Sequence, residues 1–320
     1  GWLVQENRRR GKEDPEFELM ETGVFAENRY WDVFVRVAKA DAEDLLIEIE
    51  VANRGPEAAK ITVLPQLLFR NTWSWGRSTA ERPCFSLEEG NVCADHPELG
   101  VLRCAFESVS GRTPELLFCD NDTNTERLYG VPNVGAVKDA IHEAVVRGSR
   151  AGLSAEAMGT KMAARYELDV AAGASEVVHV RLARSLGKSP FADFTKTLAA
   201  RRAEADAFYA ALPNVAAGEA ARVQRQAYAG LLWSKQWYSI DIPQWLAGDP
   251  ASPTPPPERK TGRNSEWFHL NNADVLSMPD TWEYPWYAAW GLAFHCVPLA
   301  EIDPTFAKEQ LVLLTREWYM

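Results

Sequence analysis

Tryptophan is concentrated in the last third of the chain, where it is interspersed with acidic, amide and basic residues. Eight of the twelve tryptophans lie between residues 233 and 318. Sugars present flat patches of C–H bonds that stack on aromatic rings, and their hydroxyl groups form hydrogen bonds with carboxylate, amide and guanidinium groups. The combination is therefore typical of a carbohydrate-binding surface. The polar residues in question are Arg263, Asn264, Glu266, Asn271, Asn272, Asp274, Asp280 and Glu283.

The alternative interpretation is that some of these indole rings belong to the hydrophobic core. Taken singly, Trp233, Trp245 and Trp318 are predicted to be core residues, since tryptophan is highly buried on average. The other tryptophans cluster on segments between predicted helices, and this clustering favours a ligand site.

Composition and missing motifs exclude several function classes. A net charge of −11 argues against nucleic acid as a partner, and no apolar run approaches the ~20 residues that span a bilayer. Five cysteines without a CxxC pair argue against a disulfide framework and a metal site, and they indicate a reducing, cytoplasmic location. Motifs for nucleotide binding, acyl transfer and zinc proteolysis are absent, so no cofactor is predicted.

The first half of the chain has the period-two pattern of half-buried antiparallel strands. Turn residues punctuate these strands, as at Asn53–Pro56, and no long helical pattern intervenes. This organisation predicts an antiparallel β-sandwich over residues 1–187. The predicted strands include Trp31–Val37, Leu45–Val51, Ile61–Phe69 and Val178–Leu182.

Near Pro190 the pattern becomes helical. Apolar residues from Phe191 to Leu212 recur at spacings of 3, 4 and 7, which predicts a connecting helix in a linker over residues 188–216. The segment from Asp241 to Tyr284 is predicted to be a long irregular loop, and loops of that length are usually functional. Three more helices are predicted: Gly218 to Tyr238, Pro285 to Val297, and one capped by Asp303 that begins at Pro304 and runs to the end of the chain.

Several long stretches resemble glycoside hydrolase family 63, and its bacterial members in particular. The resemblance covers nearly the whole chain. In the second half it rests on Leu231–Tyr238 (LLWSKQWY), Gly262–Asn264, Asp274–Trp286 (DVLSMPDTWEYPW) and Arg316–Met320. In the first half it rests on Lys12–Glu18, Phe69–Gly76 and Asn124–Leu128.

The resemblance implies an N-terminal β-sandwich followed by an (α/α)6 toroid of the six-hairpin glycosidase type. It also implies hydrolysis of α-glucosidic or α-mannosidic bonds, with inversion, in an oligosaccharide or a small glycoside such as glucosylglycerate. Residues 217–320 would then be the first part of the catalytic barrel, and the rest of that barrel would be their partner. Because Gly1 and Met320 both lie within structured patterns, we expect the chain to be truncated at both ends.

The resemblance also indicates where the catalytic acid should lie. Inverting glycosidases use two carboxyl groups, one as general acid and one as general base. The acid is expected to be an aspartate directly after the second tryptophan of Pro285–Trp290, but this chain has Gly291 there. The general base, a glutamate, is expected beyond residue 320. The chain as it stands is therefore predicted to be inactive, and the alternative hypothesis is a non-catalytic carbohydrate-binding protein that has lost its general acid.

Candidate sugar contacts follow from the same resemblance. The nearest carboxylates to the expected site, Asp280 and Glu283, are interpreted as caps at the start of a helix or as ligands of sugar hydroxyl groups. Trp237 and Tyr238 are expected at the end of the first barrel helix. The complete set of predicted substrate-binding residues is Trp286, Trp290, Glu283, Asp280, Arg263, Asn264, Trp237 and Tyr238.

Overall fold

The computed structural model describes residues 1–76, 81–213, 216–250 and 252–316. The chain forms two compact units. The sheet unit comprises Gly1–Asn71 and Thr79–Arg201, and the helical unit comprises Thr72–Ser78 and Arg202–Met320. The division after Arg201 falls inside the segment 188–216, for which the sequence predicts a linker.

The sheet unit consists of antiparallel sheets with short helices between strands. The strands are β1 (Trp31–Asp41), β2 (Asp44–Asn53), β3 (Ala59–Val63), β4 (Gln66–Leu68), β5 (Cys84–Glu88), β6 (Asn91–His96), β7 (Gly100–Phe106), β8 (Glu115–Cys119), β9 (Lys161–Val170) and β10 (Ser175–Ala183). The helices are α1 (Trp2–Arg9), α2 (Thr125–Tyr129) and α3 (Ala140–Arg147). Six strands form one sheet in the order β1-β2-β10-β7-β6-β5, and β9 pairs with β3, β4 and β8 in the other.

Both sheets contribute side chains to one hydrophobic core. Alternate residues of β2 and β10 face it, as their period-two patterns predict, and they meet alternate residues of β9. The antiparallel strands predicted over Trp31–Val37, Leu45–Val51 and Val178–Leu182 are thus confirmed. The core residues from these three strands are Ile49, Val51, Val178, Val180, Met162, Ala164, Tyr166, Leu168 and Val170.

The predicted turn at Asn53–Pro56 is present, and Asn53 links it to the second sheet. The Asn53 side chain is 3% exposed. Its Nδ2 donates to the carbonyls of Glu57 at 2.8 Å and Val170 at 3.0 Å, and its Oδ1 accepts from the Gly55 amide at 2.9 Å. One buried amide therefore satisfies backbone groups on both sides of the turn.

The single strand predicted over Ile61–Phe69 is wrong, because the structure has the two short strands β3 and β4 there. Leu64 and Pro65 separate them. Proline has no N–H to donate to a ladder, although its carbonyl accepts from the Ala164 amide at 3.0 Å. The break at Pro65 interrupts the ladder but leaves its register unchanged, since β3 and β4 pair with β9 in the same alignment.

The helical unit contains five helices and a two-stranded ribbon in its described part. The helices are α4 (Phe194–Ala210), which begins in the sheet unit, α5 (Gly218–Trp233), α6 (Ile242–Ala247), α7 (Ala289–Ile302) and α8 (Pro304–Arg316). The ribbon pairs β11 (Lys235–Asp241) with β12 (Asn271–Ser277). The segment Asp241–Tyr284 is thus not irregular throughout, since it contains α6 and β12.

The predicted helix from Gly218 to Tyr238 is too long. It ends at Trp233, where the Ser234 amide and hydroxyl both donate to the Gly230 carbonyl. The residues that follow alternate between the two faces of a strand and pair with β12. Since the same apolar spacing fits a helix or a strand, this tertiary pairing decides between them.

The last two predicted helices are present, but not all of their boundaries match the prediction. α7 begins at Ala289, whereas the sequence predicts a start at Pro285. The predicted cap of α8 is confirmed, because Asp303 Oδ1 accepts from the Phe306 amide at 3.1 Å. The predicted apolar stripe of α4 is covered only at its start, where Phe194 is 1% exposed, while Phe208 is 42% exposed.

Two features are absent from the described residues. No helix among them is both long and apolar enough to cross a bilayer. No three histidine, cysteine, aspartate or glutamate side chains in these ranges lie close enough together to hold a metal ion.

Replacement of Asn53 by alanine tests the link between the sheets. We expect Asn53→Ala to lower the free energy of unfolding by about 2–3 kcal/mol, because buried carbonyls lose their donor. Chemical denaturation followed by circular dichroism measures this loss. Asn271→Ala, at an exposed position, is the control and should change stability by less than about 0.5 kcal/mol. Equal effects of the two substitutions would contradict the assignment.

Candidate functional site

The β11–β12 ribbon separates two of the predicted sugar contacts. Tyr238 lies opposite Asp274 in the ribbon, and Trp237 lies opposite Val275. Neighbouring residues of a strand point to opposite faces. Tyr238 is accordingly buried at 3% exposure, whereas Trp237 is 54% exposed. The structure therefore places Tyr238 in the core of the helical unit and leaves only Trp237 available to a ligand.

The buried Tyr238 hydroxyl holds the segment that follows the ribbon. It bonds to the carbonyls of Asp280 at 3.1 Å and Tyr284 at 2.5 Å. Burial, with a smaller contribution from the nearby Asp280 charge, raises the pKa of Tyr238 to about 12. The neutral phenol is thus the form that fixes the backbone of residues 280–284.

Asp280 caps a turn. It does not cap a helix, which is one of the two roles that the sequence predicts for it. Its Oδ1 accepts from the amides of Trp282 at 2.8 Å and Glu283 at 2.5 Å. The turn ends well before α7 begins. Its effect is to present Trp282, 92% exposed, together with the exposed Glu283 carboxylate.

Arg263 and Trp286 are brought together from distant parts of the sequence. The Arg263 guanidinium carbon lies 5.0 Å from the centre of the Trp286 ring. Trp286 also packs against Tyr284, with ring centres 5.9 Å apart. Asn264, next to Arg263, has a positive φ of 68° and its carbonyl accepts from the Trp267 amide. The Arg263–Trp286 pair therefore places a hydrogen-bond donor group against an aromatic ring, two kinds of group that bind sugars.

Trp290 lies on the uncovered side of α7. It contacts Phe294 edge-on at 5.4 Å, and the two rings are 76% and 65% exposed. The opposite side of the same helix, at Leu292, Cys296 and Leu299, is buried. The first turn of α7 thus presents an aromatic ring beside position 291.

Gly291, the position of the expected acid, has space for a side chain. A Cβ atom built there meets only the Met278 Cε atom, at 4.0 Å. This is an ordinary van der Waals contact, and Gly291 is not among the glycines with positive φ. The local backbone therefore accommodates a Cβ atom, so packing does not require glycine at this position.

Sequence reasoning missed three sets of polar contacts that support this region. The Tyr287 hydroxyl donates to Asp274 Oδ2 at 3.0 Å, which connects the ribbon to the chain just before α7. Ser277 Oγ lies 3.0 Å from His295 Nδ1, and the buried Gln310 side chain bonds to the backbone of β12. No motif marks these pairs, since their members are far apart in the sequence.

A turn from the first half of the chain also belongs to the helical unit. Trp73–Trp75 forms a single 3-10 turn, and Ser74 Oγ donates to Asp249 Oδ2 at 3.1 Å. Gly76, at φ 65°, lies against Pro250, whose Cγ is 3.4 Å from the position of an added Cβ. The sequence predicts that this aromatic turn belongs to the first domain.

The predicted core tryptophans are wrong where the structure describes them. Trp233 is 82% exposed and Trp245 is 42% exposed. The Arg259 guanidinium carbon lies 4.8 Å from the centre of the Trp245 ring, so this indole stacks with a cation instead of filling the core. Trp318 lies outside the described residues.

A cleft elsewhere in the chain contains none of the predicted contacts. It has a volume of about 380 Å³ and lies in the sheet unit, between β9 and the segment 109–114. The predicted sugar-binding residues instead lie in the helical unit, where all of them except the buried Tyr238 are exposed or half-buried.

Comparison with known proteins adds one relative and no family. No family model matches the chain. The chain is similar to the uncharacterized protein YMR196W of Saccharomyces cerevisiae. The alignment is 363 residues long with 37% identity, and it covers 99% of this chain and 33% of the yeast protein. The chain therefore spans about a third of the length of this relative.

Tyr238→Phe tests the anchor of residues 280–284. We expect a loss of about 1–2 kcal/mol of stability at neutral pH, since two buried carbonyls lose their donor. A pKa raised from 10.0 to about 12 means that the phenol stabilises the fold fully below pH 10 and that this contribution disappears as the pH rises through 12. The difference between wild type and Tyr238→Phe should therefore shrink over that range in urea denaturation.

The control for this experiment is Tyr129→Phe, which removes the hydroxyl of a tyrosine that is 52% exposed. It should leave stability unchanged at every pH. If the wild type and Tyr238→Phe proteins differ by the same amount at pH 7 and at pH 12, ionisation of Tyr238 is not involved.

Proposed function

We propose that this chain provides the sugar-binding part of an inverting glycoside hydrolase similar to family 63. Its substrate would be an oligosaccharide or small glycoside with an α-glucosidic or α-mannosidic bond. The observation that carries the proposal is the exposure of aromatic rings in the helical unit at Trp282 and Trp290, together with the Arg263–Trp286 contact and the exposed Glu283. Aromatic rings left in solvent beside charged groups suit sugar stacking better than core packing.

The finer architecture is part of the same proposal. Two antiparallel sheets with a shared core support an N-terminal β-sandwich. α7 supports a helical toroid, since its apolar residues lie on both its covered and its uncovered sides, which is typical of a helix enclosed by others. We propose that further helices cover Phe294 and Val297 in the complete barrel and leave Trp290 open to the substrate.

Within this proposal, hydrolysis fails at one identified step. The leaving oxygen needs a proton from a carboxylic acid, and glycine at position 291 has none to give. Asp280 does not replace it, because its Oδ1 already accepts two backbone amides. We therefore propose that the chain with Gly291 binds sugar without cleaving it, and that Gly291 stands where the acid was lost.

The second candidate function is non-catalytic carbohydrate binding. Gly291 is the observation that favours it, because loss of the acid leaves the aromatic surface unchanged. Both candidates predict sugar binding, and they differ in whether an acid at position 291 restores hydrolysis.

Sugar binding is measured by titrating tryptophan fluorescence with maltose and with glucosylglycerate. We expect Trp282→Ala and Trp290→Ala each to weaken binding by about tenfold, the equivalent of one lost stacking contact of ~1.4 kcal/mol. Trp2→Ala, which removes a tryptophan that is 58% exposed in the sheet unit, is the matched control and should bind normally. Undetectable binding of both sugars by the wild type would overturn both candidate functions.

Hydrolysis is measured on the full-length product of the gene, with Gly291 and with Gly291→Asp. If the glycosidase proposal is right, the aspartate variant gains at least ~100-fold in rate, the lower end of what general acid catalysis contributes. Gly291→Asn has the same shape without an acidic proton and should stay inactive. Retained sugar binding with no hydrolysis by the aspartate variant would favour the non-catalytic binding protein.

A further inference from the structure

Strand β1 is a long edge strand whose protection is limited to a few charged residues and a register shift near its end. It has 11 residues, lies at the end of the six-stranded sheet, and contains no proline or glycine. Its pairing with β2 is regular until a shift between Lys39 and Asp41. Natural edge strands are generally short, bulged, charged or covered, because an open edge pairs with other strands. Among the described residues, the outer edge of Trp31–Ala38 has no neighbouring strand.

Three valines of this strand face the core side of the sheet but remain uncovered. Val33, Val35 and Val37, here termed the valine stripe, are 53%, 59% and 55% exposed. Their partners across the ladder are Val51, Ile49 and Ile47, which belong to the shared core or pack against it. The valine stripe thus continues the core side of the sheet beyond the residues that cover it.

We propose that β1 pairs in antiparallel fashion with β1 of a second copy of this chain, centred on Val35. A two-fold axis perpendicular to the sheet keeps every side chain on its own face. In this register Val35 lies opposite Val35 of the second copy, and Val33 lies opposite Val37. The two valine stripes therefore form one continuous apolar patch, while the open edges satisfy each other with backbone hydrogen bonds.

The remaining side chains suit the same register. Lys39 lies opposite Trp31 on the face of the valine stripe. On the other face Arg36 lies opposite Phe34, a pair that already interacts within one chain, with the guanidinium carbon 5.4 Å from the ring centre. No like charges are directly opposed. A register centred on Arg36 would oppose two guanidinium groups, which is unfavourable.

A register centred on Phe34 gains little from new charge pairs, because its charged residues already have partners within their own chain. It would oppose Asp32 to Arg36 of the second copy. Asp32 already accepts from Arg54 at 2.6 Å, and Arg36 already donates to Glu48 and Glu50. The register centred on Val35 leaves these ion pairs intact.

The first test compares the association of variants by analytical ultracentrifugation. The wild-type chain should show a reversible monomer–dimer equilibrium. Val35→Lys opposes two ammonium groups at the centre of the interface and should weaken the dimer by at least about tenfold. Val101→Lys, at a valine that is 41% exposed in the interior strand β7, is the matched control and should dimerise normally.

The second test reads the register by disulfide formation in a Cys84→Ser background, since the other native cysteines are buried. Val35→Cys should cross-link to its own copy. Val33→Cys alone should not, because four residues separate the two sites along the strand, about 13 Å against a disulfide limit of ~7 Å. A mixture of Val33→Cys and Val37→Cys should give the mixed dimer.

The outcomes separate cleanly. A wild-type chain that stays monomeric at every concentration overturns the proposal. A dimer that Val35→Lys leaves unchanged also overturns it, because the interface would then lie elsewhere, for example on α7. If circular dichroism shows that Val35→Lys fails to fold, the cross-links decide. Failure of Val35→Cys to cross-link then overturns the proposal. Pairing of the strand with a different protein would give a monomer in these tests and counts against it.

Discussion

The antiparallel pairing of β11 with β12 determines where the candidate surface lies. It ends α5 at Trp233, closes the chain between Asp241 and Asn271, and orients Tyr238 and Asp274 into the core. Those two side chains then hold the chain that leads to α7, one through backbone carbonyls and the other through the Tyr287 hydroxyl. Without this ribbon, the turn at Asp280 and the first residues of α7 would have no common support.

Much of the sheet unit could be predicted from its sequence, because the side-chain period of a strand is unambiguous where one face is buried. β2 and β10 show this, and the turn at Asn53 was predictable from its turn residues. The helical unit was harder to predict. The residues from Ser234 to Asp241 fit an extension of α5 as well as a strand, and only their partner in β12, more than thirty residues away, decides between the two.

Burial was the least predictable property of the candidate surface. Tyr238 was expected to be a sugar contact and is a core residue, whereas Trp233 and Trp245 were expected in the core and are exposed. Tyrosine and tryptophan have an apolar body and a polar group, so both environments suit them. Their position depends on which face of a helix or strand they occupy, and that depends on contacts between residues distant in the sequence.

At Gly291 and at the valine stripe, the sequence pattern alone does not determine the environment of the residues. The space around Gly291 accommodates a side chain, so the absence of an acid there follows from residue identity and not from packing. The valine stripe has the right pattern for a core, but a core also needs an opposing layer, and none covers it among the described residues. An apolar pattern therefore identifies the face of a strand whose burial would be favourable. The charges and the pairing register of the same strand determine which partner can bury that face.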